Sequence, residues 1–77
     1  MDEYSNKDRR TKAQAALETY ADHSYNAGMD GEEPATILGD LLCDLRHWAR
    51  AQGVSFAKMV KRSKGTFEEE LAEEGEH

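Results

Sequence analysis

The side chains best suited to chemistry in this sequence lie within one short stretch, around Cys43 and His47. A cysteine and a histidine four residues apart face the same side of an α-helix, and Asp40, Asp44 and His47 share that spacing. Such a set could begin a zinc site or pair a thiol nucleophile with an imidazole base. However, a closed zinc site needs four ligands and no second paired motif exists, nor is there a glycine-rich phosphate loop. We therefore predict no metal, no cofactor and no catalytic residue, and we expect that the protein is not an enzyme.

Charge is segregated along the chain. Residues 1–45 carry a net charge of −6, residues 46–64 carry +6 and residues 65–77 carry −6, which makes −6 in all. An even mixture would favour only solubility, whereas separated charges can steer a partner into place. The candidate basic surface consists of Arg46, Arg50, Lys58, Lys61 and Arg62. The candidate acidic surface consists of Asp30, Glu32, Glu33, Asp40 and Asp44.

The basic stretch also resembles part of a helix-turn-helix. That motif places a small residue, a turn glycine, a serine cap and an apolar residue where this chain has Ala49, Gly53, Ser55 and Met59. Lysines and arginines of the following helix would then enter a DNA groove. Against this, Arg62 stands where the next apolar residue is expected, and the nearby carboxylates would repel phosphate. DNA binding is therefore the alternative function.

Three amphipathic helices must position these residues, because apolar side chains recur every three or four positions. We expect the first helix to begin at a cap on Ser5 or Asn6 and to end near residues 26–28. The second should run from Pro34 to Gln52, with Gly53 closing it. The third should run from about residue 56, after a serine cap, to residue 71 or 74.

A break at Gly65 could split the last helix, with Thr66 capping a short fourth one. The predicted fold class is thus all-α: a small three-helix, or four-helix, bundle with a disordered acidic C-terminal tail that includes Glu73 and Glu74. We also expect the segment from Met1 to Asn6 to fray. At 77 residues the chain should form a single helical domain, residues 1–77, ordered over about residues 7–71.

The apolar positions at helical spacing predict the hydrophobic core. A single cysteine excludes an internal disulfide, so extra stability would have to come from helix packing, a metal or self-association, and packing or dimerisation is favoured. On this basis, if Leu45 is buried, Leu45→Ala should lower the free energy of unfolding by about 2–5 kcal/mol. The predicted core is Leu17, Tyr20, Ile37, Leu38, Leu41, Leu42, Leu45, Trp48, Phe56, Met59, Val60 and Phe67.

One stretch of the second helix resembles a known group of proteins. Residues 40–48 read Asp-Leu-Leu-Cys-Asp-Leu-Arg-His-Trp, followed by Gly53, Phe56 and a late Phe67. This is similar to the Asp-Leu-x-x-Asp-Leu-x-His-Trp pattern of small helical accessory proteins of phages, prophages and plasmids, over about residues 37–70. Gly65 and the basic run of residues 58–64 depart from the pattern. The resemblance implies a genomic setting and carries no assigned chemistry.

Very small acidic proteins of mobile elements often bind and block a host protein, as anti-CRISPR proteins do, and we extend that behaviour to this chain by analogy. The leading hypothesis is an accessory protein that acts by protein–protein contact and inhibits a host defence or nucleic-acid-processing complex. The expected partner is a host protein or a protein–nucleic-acid complex. The alternatives are a helix-turn-helix regulator that binds nucleic acid directly and a dimerising structural protein, a homodimer. An exposed leucine or tryptophan on the second helix would favour the homodimer.

The sequence also suggests where the protein works. No apolar run approaches the length of a membrane span, and the N-terminus opens with Met1, Asp2 and Glu3 rather than a signal peptide. A lone thiol suits a reducing compartment. We therefore expect a cytoplasmic protein with no membrane partner, in the host cytoplasm if a phage encodes it.

Overall fold

The computed structural model describes residues 5–75, which form three α-helices and one short 3₁₀ helix. Helix α1 spans Asn6–Ser24, the 3₁₀ helix spans Gly28–Gly31, α2 spans Pro34–Gln52 and α3 spans Phe56–Gly75. Over residues 5–75 there is no β-strand, so the predicted all-α class with three main helices is confirmed. The bounds predicted for α2 are confirmed as well.

A capping box begins α1. The Ser5 hydroxyl accepts a hydrogen bond from the Asp8 backbone N–H at 3.2 Å, and the Asp8 carboxylate accepts one from the Ser5 N–H at 3.0 Å. Together they satisfy donors that the helix itself leaves unpaired. Of the two predicted caps, Ser5 is the one observed. The expected fraying of residues 1–6 is wrong for Ser5 and Asn6, which cap and begin α1, and its remaining part, residues 1–4, lies outside the described residues.

α1 ends slightly earlier than expected, at Ser24. Tyr25 adopts an extended backbone, and its N–H donates to the Ala21 carbonyl at 2.8 Å. Gly28 then takes a positive φ of 61° at the start of the 3₁₀ helix. The loop predicted between α1 and α2 therefore contains one short turn of helix that the sequence pattern did not indicate.

The turn between α2 and α3 forms a Schellman motif. Gly53 has a φ of 73°, its N–H donates to the Arg50 carbonyl at 3.2 Å, and the Val54 N–H donates to the Ala49 carbonyl at 2.9 Å. Ser55 follows at once, and its hydroxyl accepts from the Lys58 N–H at 3.3 Å. The predicted closure of α2 by Gly53 and the serine cap of α3 are both confirmed.

α3 is continuous through Gly65, so the split into a fourth helix does not occur. The Thr66 hydroxyl donates to the Arg62 carbonyl at 3.3 Å instead of capping a new helix. An ion pair of 3.3 Å between Lys64 and Glu68 spans the glycine. A helical glycine costs only about 1 kcal/mol against alanine, which a helix of this length tolerates.

The start of the predicted disordered tail is helical, as the longer of the two predicted ends of α3, residue 74, allows, because α3 extends to Gly75. Glu73 and Glu74 are therefore helical. Each additional helical residue forms one more backbone hydrogen bond, so an established helix propagates readily into polar sequence. The remaining part of the predicted tail, residues 76–77, lies outside the described residues.

Most of the predicted core is exposed. Among the described residues the buried apolar side chains are Ala21, Ile37 and Ala49, with Ile37 only 1% exposed. By contrast, 59% of Trp48 and 58% of Phe67 are exposed. Helical spacing identified an apolar face correctly in each case, but a face is buried only where another element covers it. The predicted core positions that are exposed are Leu38, Leu42, Leu45, Trp48, Met59, Val60 and Phe67.

The chain divides into two compact units, with the boundary inside α2, between Leu45 and Arg46. The first unit contains α1, the 3₁₀ helix and the first part of α2. The second contains the end of α2, the Schellman turn and α3. No helix among residues 5–75 combines the length and the apolar character needed to cross a bilayer.

Candidate interaction surface

The five residues of the basic surface all lie in the second unit and are all exposed. Arg46 and Arg50 occupy successive turns of α2. The Arg46 guanidinium carbon lies 4.7 Å from the centroid of the Phe56 ring, which is a cation–π distance. This contact holds the Arg46 side chain between the end of α2 and the start of α3. Lys58, Lys61 and Arg62 follow on α3.

The acidic surface lies entirely in the first unit, and part of it already has a structural task. The Tyr20 hydroxyl donates to the Asp44 carboxylate at 2.5 Å, and the Tyr25 hydroxyl donates to the Asp40 carboxylate at 2.5 Å. The two tyrosine rings meet edge to face, with centroids 6.3 Å apart. These bonds tie α1 and the residue that follows it to one side of α2.

The carboxylates also change how the two tyrosines titrate. The hydrogen bond to Asp44, together with partial desolvation, raises the pKa of Tyr20. The hydrogen bond to Asp40, again with desolvation, raises the pKa of Tyr25. A phenol that donates to a carboxylate loses that bond when it ionises, so it keeps its proton longer. Both hydroxyls therefore remain donors to a higher pH than a free tyrosine hydroxyl does.

The rest of the acidic surface is a short segment before α2. Asp30 lies in the 3₁₀ helix, and Glu32 and Glu33 precede Pro34. All three side chains are exposed. The structure thus separates the acidic surface into two carboxylates that hold α1 and three that lie ahead of the N-terminus of α2, where the helix dipole favours negative charge.

Cys43 and His47, the starting point for metal or nucleophilic chemistry, are both exposed on α2. Within residues 5–75 no three side chains of the metal-binding types come together. The helix-turn-helix pattern places Gly53 at a true turn, with three residues between α2 and α3. In that turn the glycine has the positive φ that the motif's sequence suggests.

A row of exposed leucines on α2 is a further candidate contact feature, and exposed leucines on this helix are what the dimerising alternative predicted. Leu38, Leu42 and Leu45 are 49%, 40% and 38% exposed. At 100° per residue they lie about 150° around α2 from the two aspartates that the tyrosines contact. The apolar arc of α2 is therefore wider than α1 can cover. That width is visible in the sequence and could have signalled a second, uncovered face.

α3 carries a comparable feature. Its large apolar side chains are exposed from Met59 onward, and a shallow groove runs along one side of the helix. The groove is lined by Met59, Arg62, Ser63, Thr66, Phe67 and Glu70. Contiguous exposed apolar surface rimmed by polar residues is typical of a protein-contact site.

Comparison of the chain with protein-family models, with curated proteins and with solved structures finds no match.

Proposed function

We propose that this protein acts by protein–protein contact, as an accessory protein of a phage or another mobile element that inhibits a host defence or nucleic-acid-processing complex. The observation that supports a protein contact is the exposed leucine row of α2, which also fits the dimerising alternative. When a partner removes large apolar side chains from water, the complex is stabilised by about 25 cal/mol per Å² of apolar surface buried. The mobile-element setting is supported by the resemblance of residues 40–48 to proteins of that kind. The proposed site of action is the cytoplasm, and no catalytic step is involved.

Charge would then select the partner. The basic surface would meet an acidic partner, whereas the segment with Asp30, Glu32 and Glu33 would meet a basic channel. Rim charges of this kind mainly set the association rate and exclude wrong partners. Asp40 and Asp44 are less suitable as contact residues because each already accepts a tyrosine hydroxyl.

The test is a tagged pull-down from host-cell lysate, with and without nuclease, read by mass spectrometry. Leu42→Ser tests the leucine row, and its matched control is Val54→Ser, which changes an apolar side chain 40% exposed in the turn outside that row. We expect a stoichiometric host protein that survives nuclease treatment, is lost with Leu42→Ser and is kept with Val54→Ser.

Two charge reversals identify the selecting surface. One variant combines Lys58→Glu with Lys61→Glu, and the other combines Glu32→Lys with Glu33→Lys. Reversing Asp40 and Asp44 is unsuitable, because it would remove the acceptors that hold α1. Only one of the two reversals should weaken binding. Recovery of nucleic acid alone, lost on nuclease treatment, would overturn the proposal in favour of a helix-turn-helix regulator.

A further inference from the structure

One side of α3 carries an apolar stripe, and within its own unit only the first residue of the stripe is partly covered. Taking Phe56 as the start, the stripe continues through Met59, Val60, Phe67 and Leu71, all within an arc of about 120° at 100° per residue. It is about 22 Å long at 1.5 Å per residue. Phe56 is half-buried, partly under the Arg46 guanidinium, and the other four side chains are exposed.

The charges of α3 run against its own helix dipole. Basic residues fill the first half, Lys58 to Lys64, and glutamates fill the second half, Glu68 to Glu74. The first turn contains no acid and the last turn no base. A helix is stabilised by the reverse order, with acids near its N-terminus and bases near its C-terminus. The charged side chains of α3 therefore oppose the dipole of their own helix instead of stabilising it.

We propose that α3 pairs with the α3 of a second copy of this chain, antiparallel, through this stripe. Antiparallel pairing puts the basic half of each helix beside the acidic half of the other. It also brings the glutamates of one copy to the N-terminus of the other, where the dipole favours them. A parallel pair would instead place lysines beside lysines and glutamates beside glutamates.

The apolar stripe sets the register. Its midpoint falls at Ser63 and Lys64, so antiparallel symmetry about that point places Val60 of each copy opposite Phe67 of the other. Ser63 then lies at the symmetry axis, where a small side chain permits close approach. Lys58 and Lys61 lie on the far side of α3 and stay exposed in the pair. The pairing of two copies uses α3, whereas the proposed contact with a host partner uses the leucine row of α2. An experiment can therefore refute one of these two proposals and leave the other standing.

The first test measures mass by sedimentation equilibrium over a range of concentrations of the purified full chain. We expect a reversible dimer of twice 8.7 kDa, whose dissociation constant rises several-fold between low and high salt as the attraction between the oppositely charged helix halves is screened. Phe67→Ser should raise the dissociation constant by at least about tenfold, because both copies lose an aromatic side chain. The control Leu38→Ser removes an exposed leucine of α2 and should leave the dissociation constant of the dimer unchanged.

The second test reads orientation by disulfide trapping and does not depend on how Phe67→Ser folds. In a Cys43→Ser background, which removes the native exposed thiol, Ser63→Cys should form a disulfide between copies. Leu71→Cys should not, because in the antiparallel register its two copies lie about 22 Å apart along the axis, beyond disulfide reach. A monomer at all concentrations, a dimer indifferent to Phe67→Ser, or a self-disulfide at Leu71→Cys would each overturn the proposal.

Discussion

Two glycines of the second unit should respond in opposite ways to the same substitution. A Cβ at Gly53 or at Gly65 would meet no atom within 4 Å, so neither alanine creates a clash. Gly53 has a φ of 73°, and a left-handed conformation costs a non-glycine residue about 1–2 kcal/mol. Gly65 lies inside continuous α3, where alanine is favoured over glycine by about 1 kcal/mol. We therefore expect Gly53→Ala to destabilise the protein and Gly65→Ala to stabilise it.

Thermal unfolding followed by circular dichroism measures both changes. In a chain of this size, 1 kcal/mol shifts Tm by about 4–8 °C, so Gly65→Ala should raise Tm by that amount and Gly53→Ala should lower it by at least as much. All samples need one protein concentration, because self-association makes Tm concentration-dependent. Gly39→Ala is the matched control, since that helical glycine also has open space around it. A lower Tm for Gly65→Ala would mean that α3 breaks there, and an unchanged Tm for Gly53→Ala would refute its left-handed backbone.

Two further predictions concern the first unit. Ile37 is buried, so Ile37→Ala should lower the free energy of unfolding, measured by urea denaturation, by about 2–5 kcal/mol. Leu45 is exposed, so Leu45→Ala should lower it by less than about 1 kcal/mol. Equal losses would contradict the observed burial. The hydrogen bonds from Ser5 lower the pKa of Asp8. The capping box therefore stabilises the helix fully at a pH above the ordinary carboxyl pKa, and this stabilisation is lost as the pH falls through the lowered pKa. Ser5→Ala should raise the pKa of Asp8 in an NMR titration of its carboxyl carbon, and an unchanged pKa would argue against the capping box.

The helix boundaries that the sequence predicted well depend on local signals. Pro34 has no N–H to lose at a helix start, Gly53 accepts the left-handed closing conformation, and Ser55 supplies a capping oxygen. Each acts within one turn of its own position. The error at Gly65 has the same local origin, because a glycine inside a helix is tolerated when the residues on both sides continue to favour it.

The sequence also identified the charged residues of the candidate surfaces but not their contacts. Nothing in the spacing of Asp40 and Asp44 indicates that Tyr25 and Tyr20 donate to them. Those partners lie 15 and 24 residues away, and only the path of the chain brings them close. For this reason the candidate acidic surface shrinks to the segment before α2, while the basic surface keeps all its members exposed.

The sequence by itself determined that this protein is helical, where α2 begins and ends, and how charge is distributed along α3. These properties follow from hydrogen bonding and sterics within a few neighbouring residues. Only the tertiary structure decided which apolar faces are covered. Ile37 is buried and Leu38 is exposed although they are adjacent and equally apolar, because burial depends on whether another element lies over a side chain.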